Sequence, residues 1–459
     1  MASTQKASIG FVTLVSIVAA IGGLLFGYDT AVISGASPFM QIKFTLGPGM
    51  VGWAVSCLMI GAIVGAAFAG VLSDRFGRKK MLITAAILFC IGSIGSAIAA
   101  TITQFVIARI IGGVGIGVSS TLVPLYIAEI APTKHRGRLV SLNQLACVIG
   151  ISAIYFVNRS VSEAGTHAWD VNTGWRWMFG LGIVPGIIFM ALLFTVPESP
   201  RWLEKQGRTS IAERILERVN GSERAAIEMQ EIRKSLQSET GTLKHLFKPG
   251  FRVALAVGII LAILQQVIGI NAIMYYAPEI FKETGAGTDS TMVETIIVGL
   301  VNLVFTLVSV WLIDKVGRKV LLLIGSAIMA ISLLIIGYAF HTGNTGTLVL
   351  ILVLVFVAAF AVSFGPIVWL IMAEIFPTRI RGRATAIASV ALWAADYLVS
   401  QMFPILLAGA GAAITFWVFC LMAIFAFFFT LWVVPETKGK SLEQIERDWM
   451  GSNQNSLTL

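Results

Sequence analysis

Long apolar runs separated by short polar breaks fill most of this chain. Twelve runs exceed the ~18 residues that suggest a membrane-spanning helix. They are 9–36, 48–72, 80–100, 102–127, 139–160, 175–196, 251–281, 290–313, 319–341, 346–373, 383–409 and 412–434. None is a segment of ~10 residues with strict alternation, as a β-barrel requires. The pattern predicts an all-α polytopic membrane protein with twelve transmembrane helices. Between runs six and seven lies a polar stretch, 200–250. Its segments 211–219 and 227–236 have helical period but are too polar to span, which predicts short helices outside the membrane. The expected organisation is a six-helix half over 1–199, a helical linker over 200–250, a second six-helix half over 251–436 and a tail over 437–459. In that tail Ser441 fits the N-cap of a short helix.

Three motifs occur once in each half, in the same order. Asp74-Arg-Phe-Gly-Arg-Lys79 follows run two, and Asp314-Lys-Val-Gly-Arg-Lys319 follows run eight. Ala128-Glu-Ile-Ala-Pro-Thr-Lys-His-Arg-Gly-Arg138 follows run four, and Ala373-Glu-Ile-Phe-Pro-Thr-Arg-Ile-Arg-Gly-Arg383 follows run ten. Pro197-Glu-Ser-Pro200 ends the first half, and Pro435-Glu-Thr-Lys438 ends the second. A duplicated bundle places its site between the halves, near the midplane. The motifs put acids and Arg at the ends of helices on one side, where Arg forks bind carboxylates. Asp74, Glu129 and Glu198 with Arg78, Arg136 and Arg201, and their counterparts Asp314, Glu374, Arg318 and Arg381, are the expected gating network. The competing reading is that they only anchor the helices.

Composition agrees with the pattern. The 459 residues are 57% hydrophobic and 12% charged, against about a quarter charged in soluble domains. The net charge of +9 is a topology signal and not a sign of nucleic-acid binding. Lys43, Arg159, Arg176 and Lys282 fall on one side, and Arg109 lies within a span. The other Lys and Arg fall on the opposite side, which is therefore expected to be cytoplasmic together with both termini. The first run has Asp29 inside it and no small-residue cleavage site, so a retained helix is expected. The four Cys fall in spans without metal-ligand spacing, and no metal or cofactor is expected. Gly112-Gly-Val-Gly-Ile-Gly117 lies within a span, so it predicts close helix packing and not phosphate binding. Asn158-Arg-Ser160 fits a glycosylation triplet of the kind common by chance.

Polar groups inside the spans point to chemistry. Gln265, Gln266, Asn271, Tyr275 and Tyr276 form a polar run in an apolar stretch, where each is costly. Gly269 beside them can loosen the helix. Uncharged amides and phenols suit a neutral, hydroxyl-rich ligand, or they glue helices together. Asp29 and Arg109 each lie about seven residues from the same end of their spans, roughly 10 Å deep by helix rise. An acid and a base at equal depth are expected to pair. The pair suits a proton switch, with a static structural pair as the alternative. Gly365-Pro366 is expected to break span ten, as a hinge or as a fixed kink.

With these motifs the chain is identified as a member of the sugar porter family of the major facilitator superfamily. The resemblance runs from Gly22-Gly-Leu-Leu-Phe-Gly-Tyr-Asp29 to Pro435-Glu-Thr-Lys-Gly-Lys-Ser-Leu442. It includes PESPRWL at 197–203, QQVIGIN at 265–271 and GPIVW at 365–369. It is strongest to bacterial xylose–proton and galactose–proton symporters. The resemblance implies alternating-access import of a monosaccharide with a proton, as a monomer in the inner membrane of a bacterium, with no enzymatic step. It implies proton coupling through Asp29 and Arg109. It implies sugar contacts from Gln144, Gln265, Gln266, Asn271 and Asn302, and aromatic packing from Trp369 and Trp393. Phe26 and Tyr275 are expected to line the cavity, and Tyr276 to line it or to join an outer gate. Ile151, Leu392 and Asp396 depart from the pattern. Asp396, placed with the substrate-binding residues, could bind a hydroxyl, titrate or stay protonated. Passive facilitation and transport of a polyol such as inositol are the alternatives.

Overall fold

Apolar length and local breakers together determine the architecture. The computed structural model describes residues 9–132, 135–238, 251–285, 287–376 and 381–438. Among them, eleven helical segments are long and apolar enough to cross a membrane. The last, Gly382–Trp432, has 51 residues. A straight helix of that length would run about 75 Å, over twice a ~30 Å hydrocarbon core. It is two helices: Gly411 takes φ 82° and ψ 166°. On either side of it Phe403 and Phe419 stack with ring centroids 6.2 Å apart. The chain doubles back there, and the described residues hold twelve spans. Spans one to five are Ile9–Phe44, Pro48–Phe76, Arg78–Ile98, Ile102–Ile130 and Arg136–Glu163. Span six is His167–Leu193. Spans eight and nine are Thr288–Val316 and Arg318–Thr342.

Spans seven and ten are broken. Span seven consists of Phe251–Val267 and Ile270–Lys282, joined where Gly269 takes φ 98°. That left-handed conformation suits glycine. Span ten consists of Thr347–Val362 and Phe364–Ile375. Its break falls at Ser363, with φ −117° and ψ −93°, and not at Gly365-Pro366. Pro366 thereby sits in the first turn of the second segment, where its missing N–H takes nothing from that segment's own hydrogen-bond ladder.

The motif glycines have a specific use. Gly77 and Gly317 end spans two and eight with φ 101° and 105°. A Cβ on them would sit 2.4 Å from Glu198 Oε2 and 2.7 Å from Glu436 Oε2. The run at 112–117 is a packing surface, as expected. A Cβ on Gly113 or Gly117 would lie 2.1 Å from the carbonyl oxygen of Leu58 or Ala62 in span two, and one on Gly61 2.1 Å from that of Ile110. Asn158 is buried, and its Nδ2 donates to the Val32 carbonyl at 3.2 Å, so the glycosylation triplet lies in a helix interface.

The expected polar helices are present as Pro200–Lys205, Thr209–Asn220 and Ser222–Ser238. They share a small core of Trp202, Leu203, Ala212, Leu216, Ala225 and Met229. The rest of the stretch, 239–250, and the expected helix at Ser441 lie outside the described residues.

Candidate transport site

An even number of spans puts Ile9 and Lys438 on one side, together with the repeated Arg motifs; this is called the basic side. Asp29 and Arg109 lie in the half of the protein away from it. Arg109 Nη1 donates to Asp29 Oδ1 at 2.6 Å, and Nη2 donates to the Asp29 carbonyl at 3.0 Å. Both residues are buried, and the guanidinium lies 5.2 Å from the centroid of the Phe179 ring. The expected pair is formed, with the fork spread over a side chain and a backbone oxygen. An ion pair shielded from water in this way is strongly disturbed by loss of either partner.

The polar run of span seven forms a chain of hydrogen bonds. Gln265 Nε2 donates to the carbonyls of Phe364 and Gly365 at 2.8 and 3.1 Å. Gln266 Nε2 donates to Gln265 Oε1 at 3.4 Å, and Asn271 Nδ2 to Gln266 Oε1 at 2.7 Å. The Asn271 side chain lies near Asp396 and acts on its carboxyl. Asp396 is fully buried, and its two oxygens accept from Tyr275 at 3.3 Å and Ser400 at 3.1 Å. One turn earlier, Trp393 is buried with no partner for Nε1 among the described residues. The Phe26 ring of span one meets it edge-on at 5.3 Å. Gln265, Gln266, Asn271, Tyr275, Asp396, Trp393 and Phe26 are thus brought together. Gln144 and Trp369 are half-buried and Asn302 is buried, on spans five, ten and eight. No hydrogen bond among the described residues ties these three to the chain. Tyr276 is elsewhere: its hydroxyl donates to the Ser400 carbonyl at 2.7 Å, and its ring lies 5.0 Å from Phe403.

Away from the basic side, polar contacts join the two sets of six spans. Tyr155 donates to the Met274 carbonyl at 2.7 Å, Ser152 to that of Gly299 at 2.9 Å, and Ser37 to Glu279 at 3.1 Å. Gln401 accepts from Ser56 at 3.0 Å and donates to the Gly49 carbonyl at 2.9 Å.

On the basic side the duplicated motifs make duplicated geometry. Arg78 forks onto Glu129 through Nε and Nη2, both at 3.0 Å, and reaches Asp74 at 2.9 Å. Glu198 accepts from the backbone N–H groups of Arg78 and Lys79 at 3.0 and 3.1 Å. Burial pushes its carboxyl above the usual range, against these donors. In the second set Arg318 reaches Glu374 at 3.1 Å. Glu436 accepts from the N–H groups of Arg318 and Lys319 at 3.1 and 3.0 Å. Glu436, Lys205 and Ser199 belong to these clusters and were not singled out by the sequence; the repeat of Pro-Glu at 197–198 and 435–436 was the signal for the first. Arg136 is exposed and makes no ion pair among the described residues. Arg201 is half-buried in the first linker helix. The side chains of Asp314 and Arg381 lie outside the described residues.

Residues 15–449 match the family model described as "Sugar (and other) transporter". The chain belongs to this family. Its members are transporters and not enzymes. The chain is 51% identical to the arabinose–proton symporter of Bacillus subtilis, over 97% of each chain. It is 42% identical to the D-xylose–proton symporter of Escherichia coli, over 96% of each. A solved structure of the xylose transporter of E. coli, in a partially occluded inward-open conformation, superposes with a TM-score of 0.86 at 40% identity. That match covers 94% of this chain and all of the other. The twelve-helix membrane architecture read from the apolar runs is that of this family.

Proposed function

We propose that the chain imports a monosaccharide together with a proton, by alternating access between two six-helix halves, 1–199 and 251–436. The linker 200–250 and the tail 437–459 lie in the cytoplasm with both termini, and the protein acts as a monomer in a bacterial inner membrane. The basic side is cytoplasmic because Lys and Arg concentrate there. The observation that carries the reading is a buried Asp–Arg pair and a neutral amide–aromatic cluster in one bundle, each expensive in hydrocarbon. Amides exchange hydrogen bonds with sugar hydroxyls while indole and phenyl rings face its C–H surface, in a pocket otherwise apolar. Gln265, Gln266, Asn271, Trp393, Phe26, Tyr275 and Asp396 line this site, and Gln144, Asn302 and Trp369 complete it when sugar is bound.

The contacts between the halves away from the basic side support an inward-facing state, as does the match to an inward-open relative. A proton arriving at Asp29 from outside neutralises it and releases Arg109. The Arg78 fork and the Arg318–Glu374 pair hold the cytoplasmic ends of each half and make and break partners as the halves rock. The relatives' names point to an aldose, and arabinose is the first sugar to test.

The test is sugar-driven proton uptake by the purified protein in liposomes, with Asp29→Asn alongside. Symport requires that arabinose, xylose, galactose or glucose makes the outside alkaline, and that the variant loses this while still exchanging sugar. Sugar moving down its gradient without protons in both proteins would make this a facilitator and Asp29–Arg109 a structural pair.

A further inference from the structure

Hydrogen counting at Gln265 shows a second job for this residue. Its Nε2 carries two hydrogens, and both are used on the Phe364 and Gly365 carbonyls. Two acceptor oxygens fix which end of the amide faces them. Those carbonyls lie just past the Ser363 break of span ten. The break needs outside support: Pro366 has no N–H for the Val362 carbonyl, and Ser309 Oγ of span eight donates to that oxygen at 3.0 Å. Side chains of spans seven and eight thus hold the bend of span ten. The other end of Gln265 continues through Gln266 and Asn271 toward Asp396.

From this competition for two hydrogens we infer that Gln265 is a positioning residue that latches the bend of span ten and is released by the sugar. A sugar oxygen that accepts from Gln265 Nε2 takes a hydrogen that span ten was using. The sugar cannot hold that donor and leave the latch intact. A sugar hydroxyl that donates to Oε1 displaces only the 3.4 Å contact from Gln266, so the accepting contact is the one that signals. Occupancy of the amide cluster is converted in this way into freedom of the segment Phe364–Ile375. The inference rests on the proposed sugar site for its trigger, but the latch itself is a property of the sugar-free protein.

The experiment is hydrogen–deuterium exchange of peptides covering 360–370 in the full-length purified protein. It compares wild type without and with saturating arabinose, Gln265→Leu without sugar, and Ser309→Ala without and with arabinose. Sugar-free Gln265→Leu should exchange about five- to thirtyfold faster than wild type, the range expected for loss of one or two neutral hydrogen bonds. Arabinose should accelerate wild type similarly. Ser309→Ala should start faster and still respond to arabinose, because its latch remains. Equal sugar-free exchange in wild type and Gln265→Leu would overturn the latch. So would unchanged exchange in wild type whose tryptophan fluorescence reports bound arabinose, an arm that needs no variant to fold. If no sugar binds, the transport reading fails, while the sugar-free comparison still decides whether Gln265 holds span ten.

Discussion

The most demanding steric test of the bundle is Gly113→Ala. The added methyl would sit 2.1 Å from the Leu58 carbonyl oxygen, 3.0 Å from its carbon and 3.2 Å from Gly61 Cα. These are backbone atoms of span two, so no side-chain rotation relieves them. Ordinary contact begins near 3.4 Å, so spans two and four must part by about 1.3 Å locally. Overpacking of this kind typically costs about 1–3 kcal/mol. The displacement also reaches Arg109, one turn earlier on the same helix, whose bond to Asp29 is 2.6 Å long. A shift of an ångström at that end takes the pair out of hydrogen-bonding range. The control is Gly70→Ala, also in span two, where a Cβ would meet nothing within 4 Å. There the substitution should be neutral or stabilise by up to ~1 kcal/mol, because alanine favours the helix. The assay is thermal unfolding in detergent followed by tryptophan fluorescence, with sugar-driven proton uptake measured in parallel. Gly113→Ala should unfold at lower temperature and lose coupled transport. If it behaves like Gly70→Ala in both measurements, the close approach of spans two and four does not govern stability, and the reasoning fails.

Two further outcomes are expected. Arg78→Lys keeps the charge but loses the fork onto Glu129 and the bond from Nη1 to the Ser73 carbonyl. At this buried position the loss should be about 2–3 kcal/mol, read as a lower unfolding temperature, and an unchanged melt would show that charge alone suffices. In the linker, the Arg233 guanidinium holds the Glu204 carboxyl below its usual range by a 2.7 Å hydrogen bond. A lowered carboxyl contributes stability that is present above its unfolded value and lost as pH falls through the folded one. Acidification should therefore loosen Ser222–Ser238 from Pro200–Lys205, seen as faster amide exchange after correction for intrinsic rates, and Glu204→Gln should flatten that dependence. Identical pH profiles in the two proteins would remove the pair from the account.

Much of the fold was readable because membrane crossing leaves so few solutions. Apolar length and polar breaks marked every span, including the last two, which a glycine hairpin at 411 separates. Duplication made some contacts of the basic side readable too: Arg78 with Glu129 and Arg318 with Glu374 are paired as their motifs are. The misses have physical causes. Arg136 sits in a motif with the right residue types, but its side chain is exposed, and residue type does not report direction. The span-ten break lies at Ser363, because proline is tolerated in a first turn and the helix shifts its start to use that. The partner of Gln265 was not readable at all. An amide declares two donors and an acceptor but not whether backbone, side chain or ligand will take them.

The duplication also shows where the two sets of spans have diverged. Gly77 with Glu198 and Gly317 with Glu436 repeat the same turn and the same carboxylate cap, so the mechanical ends of the bundle are kept twice. Among the described residues, the Asp29–Arg109 pair lies in the first set and the amide chain of Gln265, Gln266 and Asn271 in the second. Under the proposed function, the proton enters one half and most sugar contacts come from the other. Neither event alone bridges the molecule. Two of the links between the sets lie close to the proposed sugar site: Phe26 against Trp393, and Tyr155 donating to the carbonyl of Met274, the residue before Tyr275. Span five carries Tyr155 and packs on span one, which carries Asp29 and, by way of Gly27, lies against the Cys147 backbone. Asp29 thus lies on a helix contact with no slack, next to a hydrogen bond that ends beside the proposed sugar site. Under the proposed function, that geometry would couple the two events through helix packing.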